Sequence, residues 1–360
     1  KASNLRYRLS LHWRKEMNCL IPFLKASSDY PRFYWKGRGS TKAYVGYGHN
    51  PSSPFIFQAQ AFHKNSCAGI WSSFPNEWSF PPEQIISADW AEATVKPILP
   101  NCLERKDIPT FEKWERLVID ASQKIQRNEF RKIVLARQTT LTFDVPIDPL
   151  ELLKGLMSFG NHTSLFMVQF DKATAFLGAS PEKLFSRYDR TICTEALAGT
   201  IDLTETWSPK EFEEVDAVRV FLQKQLLPCC QDLRCGSSEE RPFGNLRHLY
   251  QKLDGMLKTK ISDQMLIAQL HPTPALGGFP RELTMNYLRA VEPFNRGWYG
   301  APIGLVSEKE TDLAIAIRSM LVCGNELHLF SGAGIVKGSE PLKEWEELDR
   351  KIAHVLRWTE

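Results

Sequence analysis

Two acidic helices hold the residues whose spacing suggests chemistry. In PLKEWEELDRKIAHVL, Glu344, Glu347 and Lys351 stand at i, i+3 and i+7. They align along one border of an apolar stripe made by Trp345, Leu348, Ile352, Val355 and Leu356. Upstream, Glu211 and Glu214 repeat the i, i+3 spacing in a helix predicted over 210–227. Its apolar face is Phe212, Val215, Val218, Phe221, Leu222 and Leu226, and both glutamates fall inside that face rather than beside it. A buried carboxylate without a partner is costly, so these side chains should be protonated, ion-paired or bound to metal. Two plainer readings stay open: a solvated face with a Glu347–Lys351 ion pair, and first-turn acidity favoured by the helix dipole. Four glutamates on two helices suit a hard divalent ion, Mg²⁺ or alternatively Mn²⁺, that shares its remaining positions with an anionic substrate. Lys132, Arg318 and Lys351 are cations suited to that substrate, Arg318 bidentately.

The elements that must position these residues are mostly short strands. A helix is predicted over 111–127, followed by a β-branched strand over 132–143 that carries Lys132, Val134 and Ala136 on one face. A helix over 149–158 precedes strands over 164–170, 175–179, 184–188 and 191–195, whose tight connections imply antiparallel pairing. The polar stretch 232–242 reads as a surface loop, and 246–258 as a strand bearing His248. Helices follow over 263–270 and 281–291. Residues 313–322 read as one strand carrying Arg318, and 326–331 as a strand delivering the chain to a turn at Gly332 and Gly334. In the first hundred residues, hairpin strands are predicted over 33–36 and 43–47, with another over 55–61.

Composition narrows the class. Hydrophobic content of 43% and charged content of 24% are those of an ordinary globular protein. A net charge of +3 gives no basis for binding nucleic acid or an anionic membrane surface. No apolar run is long enough to span a bilayer. The chain opens on Lys1, and residues 1–30 lack a signal-peptide pattern because Arg6, Arg8, Arg14, Lys15 and Glu16 interrupt any apolar core. The eight cysteines are scattered without a CxxC pair, which fits reduced thiols in a cytoplasmic enzyme and no cysteine zinc site. There is no GxxxxGK[ST], GxSxG or HExxH motif. From the residues alone the reading is a Mg²⁺-dependent enzyme acting on a small polyanion.

A set of blocks in order goes further. KIVLAR (132–137), GASPEKLF (178–185), EALAGT (195–200), HPTPALGG (271–278), RGWYGAPIG (296–304), AIAIRS (314–319) and SGAGIVKGSEPLKEWEELDRK (331–351) together resemble the chorismate-utilising enzymes, and among them most closely the isochorismate synthases. The resemblance covers 106–360. It implies an α+β fold of antiparallel β-sheets in a sandwich flanked by helices, forming a single domain. Residues 1–105 would be a strand-rich N-terminal part of that unit and 106–360 the chorismate-binding catalytic core.

The resemblance also implies roles. Water attacks C2 of chorismate while the C4 hydroxyl leaves, giving isochorismate, so the net reaction is an isomerisation. Lys132 is the base for that water and Glu182 the acid for the leaving hydroxyl, each shifted toward its neutral form. Glu214 and Glu347 ligate Mg²⁺ directly, with Glu211 and Glu344 beside them through water. Tyr299 and Arg318 hold the pyruvyl carboxylate with the amide of Gly334, while Gly199, Thr200, His248 and Lys351 line the pocket. Lysine at 132, where anthranilate synthases carry glutamine, favours water over ammonia, so no glutamine amidotransferase subunit is expected. Ala198 stands where aminodeoxychorismate synthases carry a nucleophilic lysine. Salicylate synthase, which also eliminates pyruvate, and a catalytically silent chorismate-binding homologue are the alternatives. One departure is Val215, where the family often has histidine beside the metal glutamate.

Overall fold

Strands covered on both faces organise the computed structural model, which describes residues 20–63, 66–243 and 246–359. Cys19 and the preceding residues lie outside the described residues, as do the side chains of Thr200, Lys210, Pro242, Phe243 and Leu246. The described chain begins with α1 (Leu20–Ala26), the hairpin β1 (Arg32–Lys36) and β2 (Lys42–Tyr47), then β3 (Phe55–Gln60), β4 (Glu77–Phe80), β5 (Gln84–Asp89) and β6 (Cys102–Ile108). Helix α2 (Phe111–Gln126) leads into β7 (Lys132–Phe143), α3 (Pro149–Leu156), β8 (Ser164–Gln169), β9 (Thr174–Ser180), β10 (Lys183–Tyr188) and β11 (Thr191–Asp202). Next come α4 (Pro209–Leu226), the long hairpin β12 (Cys230–Phe243) and β13 (Leu246–Leu257), α5 (Asp263–Leu270), β14 (Gly278–Phe279) and α6 (Arg281–Val291). The last elements are β15 (Pro302–Ser307), β16 (Glu310–Ile315), β17 (Ser319–Cys323), β18 (Glu326–Ile335) and α7 (Pro341–Leu356).

Among the described residues the strands form two sheets. A 10-stranded sheet runs β14-β7-β18-β17-β9-β8-β1-β2-β5 with β6 also on β7, and an 8-stranded sheet runs β12-β13-β11-β10-β16-β15-β3-β4. The pairings are antiparallel, as the short connections in the sequence imply. The N-terminal strands extend both sheets, β1 through β8 and β3 through β15. Among the described residues no helix is long and apolar enough to cross a membrane.

The packing follows the period of two. In β8, Leu165 and Met167 face a layer closed by Leu152, Leu153 and Leu156 of α3. Phe166 and Val168 face the other way, into an aromatic layer between the sheets with Phe33, Phe57, Phe176 and Trp298. Hence SLFMVQ is apolar almost throughout: a strand buried on both faces has no polar side to alternate with. Helices α2, α4, α5 and α6 cover the remaining layer, where Val118, Val215, Leu266 and Leu288 meet Ile133 and Ile192.

Four expectations need correction. Residues 232–242 are not a loop but most of β12, an edge strand on β13. Its side chains are largely exposed, so the apolar alternation that marks a strand is missing. Residues 313–322 are not one strand: β16 ends at Ile315 in the 8-stranded sheet and β17 starts at Ser319 in the 10-stranded sheet. Arg318 sits in this crossing with φ of 51°, a left-handed conformation rare for a residue with a side chain. Gly332 and Gly334 do not make a turn, because β18 continues through them to Ile335, paired with Ala136 and Val134 of β7. Phe212 is exposed rather than on the buried face of α4, and Glu211 and Glu214 lie outside the fully buried core.

Candidate active site

The centre of the site is a backbone surface that glycine makes possible. Lys132 opens β7 and is 7% exposed. A Cβ on Gly334 of the adjoining strand would meet Lys132 Cε at 2.8 Å, and one on Gly332 would meet the Tyr299 hydroxyl at 2.9 Å. These glycines therefore serve close approach: side chains there would fill the floor on which Lys132 and Tyr299 lie. Both line one cleft with Lys132, Glu182, Tyr299 and Arg318.

The two acidic helices close another wall. Glu214 of α4 accepts a hydrogen bond from Lys132 Nζ at 3.1 Å, and Glu347 of α7 accepts one from Lys351 Nζ at 2.5 Å. Lys351 Nζ also donates to the Gly332 carbonyl at 2.6 Å, fastening α7 to β18. Glu214, Glu347, Lys351 and Glu211 all line the cleft. Glu211 has a second task, since its Oε2 accepts from Ser208 N at 2.9 Å and Ser208 Oγ at 2.6 Å, which caps α4. Glu344 is buried in the first turn of α7 and does not line the cleft. Among the described residues, no three His, Cys, Asp or Glu side chains gather closely enough to hold a metal ion by themselves.

Opposite stands Glu182, in the turn between β9 and β10. Its backbone N–H donates to Ser180 Oγ at 3.2 Å and its carbonyl accepts from Ile315 N at 3.0 Å, so the turn is fixed to β16. Burial, and then the nearby charge of Glu195, push its carboxyl up to about 8, against the opposing charges of Lys132 and Arg38. Burial thus favours the neutral form of this carboxyl, the form an acid needs. Tyr299 is pushed up to about 12 by burial and stacks on Phe330 with ring centroids 5.4 Å apart. Arg318 reaches the cleft from the left-handed crossing, and its Nη1 donates to the Lys351 carbonyl at 3.0 Å. His248 of β13 is held neutral, down to about 3, by burial and by the charges of Arg318 and Lys351. Gly199 bulges from β11 with φ of 68°, where a Cβ would strike Glu211 Cβ at 2.8 Å. The backbone of Thr200 pairs with His248, while its side chain lies outside the described residues.

Thus the cleft brings together Lys132, Glu182, Gly199, Glu211, Glu214, His248, Tyr299, Arg318, Gly334, Glu347 and Lys351. Sequence reasoning gave no role to Arg296, which also lines it. Arg296 is 1% exposed and donates to Glu292, to the Leu276 carbonyl at 2.9 Å and to the Val134 carbonyl at 2.7 Å. It ties the 271–278 segment to β7. Its place in the block RGWYGAPIG was visible, but nothing in its spacing announced a buried guanidinium.

A two-sheet antiparallel sandwich that opens on such a cleft marks a chorismate-utilising enzyme. The chain belongs to the chorismate binding enzyme family, whose model matches residues 82–360. It is 35% identical over 259 residues to the isochorismate synthase MenF of Bacillus subtilis (strain 168), covering 66% of this chain and 54% of that protein. It is 28% identical over 383 residues to the isochorismate synthase MenF of Escherichia coli (strain K12), covering 92% of this chain and 89% of that protein. The solved structure of MenF, the menaquinone-specific isochorismate synthase from Escherichia coli, is similar with a TM-score of 0.85 and 25% identity, over 96% of this chain and 92% of that one.

Proposed function

We propose that the chain is an isochorismate synthase, converting chorismate to isochorismate by addition of water at C2 and departure of the C4 hydroxyl. The observation that carries this is the buried carboxyl of Glu182, which burial pushes up to about 8, in the same cleft as Lys132. In this reading Lys132 takes a proton from the attacking water. Glu182 gives its proton to the leaving hydroxyl, which departs as water. One C–O bond forms at C2 as one breaks at C4, and the two side chains end with the proton exchanged between them, to be reset through solvent. Arg318 and Tyr299 orient the pyruvyl carboxylate, with the Gly334 amide beside them, and His248 and Gly199 wall the pocket.

We further propose Mg²⁺ as the cofactor. What supports it is the donor set: Glu214 and Glu347 present oxygen ligands only, from two helices, and each holds a cationic nitrogen in this structure. Two carboxylates leave positions for water and substrate, consistent with a site that no protein side chains complete alone. Glu211 and Glu344 would support these ligands, through water in the case of Glu211. Mg²⁺ when bound supplies positive charge against the substrate's carboxylate. Because the nucleophile is water rather than ammonia, no glutamine amidotransferase subunit belongs to this reading, nor does nucleic acid. A cytoplasmic setting is consistent with the cysteines, which are free wherever they are described.

The test is purified protein with chorismate and Mg²⁺, products separated by chromatography, with a chelator control. Isochorismate without pyruvate is expected, with turnover lost on chelation. Salicylate with stoichiometric pyruvate would assign the salicylate synthase reaction instead.

A further inference from the structure

The two peptide groups that flank Glu182 are tied to one buried ion cluster. On one side, Arg38 Nη1 donates to the Pro181 carbonyl at 2.5 Å. On the other, Lys183 N donates to Glu195 Oε1 at 3.3 Å. Between them the Arg38 guanidinium forks onto both carboxylate oxygens of Glu195, and Arg241 Nη1 donates to the same two oxygens at 3.0 Å each. Glu195 is 6% exposed, and the Arg241 guanidinium lies 3.7 Å over the Tyr250 ring. Burial opposes ionisation of Glu195, but the Arg38 hydrogen bonds and the charges of Arg38 and Arg241 outweigh it and hold the carboxyl below the usual carboxylate range. The three residues come from distant places: the β1–β2 turn, β11 and β12.

We propose that Arg38, Glu195 and Arg241 are positioning residues that clamp the Pro181–Lys183 turn and so aim the Glu182 carboxyl into the cleft. The proposal rests on Glu182 being the acid. A buried ion cluster can exist for stability alone; two things set this one apart. Its bonds go to the backbone immediately before and after Glu182, and its charges face the Glu182 carboxyl. The groups facing that carboxyl are Glu195 from β11, Arg38 from the β1–β2 turn, Lys132 from β7 and Tyr299 before β15. Glu195 favours the protonated acid, whereas Arg38 and Lys132 oppose it. Glu195→Gln therefore leaves two arginines unbalanced and should move the titration of Glu182 to lower pH. Arg38→Gln should move it higher. A role confined to stability moves neither.

Difference infrared spectroscopy of the protonated carboxyl band reads this in the whole protein without chorismate, each variant measured against the same background carrying Glu182→Gln. Shifts of about one pH unit, downward in Glu195→Gln and upward in Arg38→Gln, are expected, with kcat/KM profiles displaced in the same directions. Folded variants whose band titrates at the wild-type midpoint would overturn the clamp. If Glu195→Gln does not fold, Arg38→Gln alone decides by the same readout. Shifted midpoints in a protein that consumes no chorismate would keep the clamp and remove the proposed function. Normal turnover with unshifted midpoints would remove the clamp and keep the function.

Discussion

At the scale of the residue, the proposed reaction depends on one proton staying where water would remove it. A glutamic acid in water is ionised above its ordinary range, whereas burial and Glu195 keep the Glu182 carboxyl protonated up to about 8. The acid works only while protonated, so kcat/KM should hold through neutrality and fall about tenfold per pH unit above that midpoint. Glu182→Gln should lower kcat by about 10²–10⁴-fold and abolish that descending limb, with chorismate affinity little changed, as titration of ligand binding and steady-state kinetics would read. A limb that persists in Glu182→Gln would assign it to another group. Lys132 and Glu182, which the structure places in one cleft, were legible in the sequence through blocks of known resemblance. The residues that set the poise of Glu182 were not: Glu195 stands in EALAGT without a distinguishing neighbour, and its partner Arg38 lies 157 positions away.

At the scale of the element, the site is built from strand ends and helix faces, and the informative errors lie where an element changes sheet or meets solvent. Helices α4 and α7 follow from 3.6-residue periodicity because each is covered on one side only. The crossing at Arg318 is invisible to such patterns, since β16 and β17 are both buried and read as one apolar run. The glycines of β18 misled for a related reason: glycine signals a turn by itself, but here it makes room across a ladder. Gly334→Ala tests this directly. The new methyl overlaps Lys132 Cε, so kcat should drop at least tenfold while the melting temperature falls only by the few degrees of a modest overpacking, about 1–3 kcal/mol. Equal kcat in the variant would mean that Lys132 is free to move aside without consequence.

At the scale of the whole molecule, Lys132 of the 10-stranded sheet and Glu182, in the crossing from that sheet to the 8-stranded one, line one cleft. The aromatic layer ties the sheets together: Phe33 of β1 stacks on Phe57 of β3 with ring centroids 4.5 Å apart, and Phe166 is wholly buried in the same layer. Phe166→Ala should cost about 3–5 kcal/mol in denaturant unfolding. The antiparallel class was readable from short strands and tight connections, whereas the strand order was not, because β1 and β3 pair with β8 and β15, more than a hundred residues later. Water as the nucleophile is tested by running the reaction in H₂¹⁸O with Mg²⁺, followed by mass analysis of the isochorismate formed. With Lys132 activating water and the C4 oxygen lost, one ¹⁸O is expected at the C2 hydroxyl. Unlabelled isochorismate would contradict it, since the hydroxyl would then have migrated within the substrate.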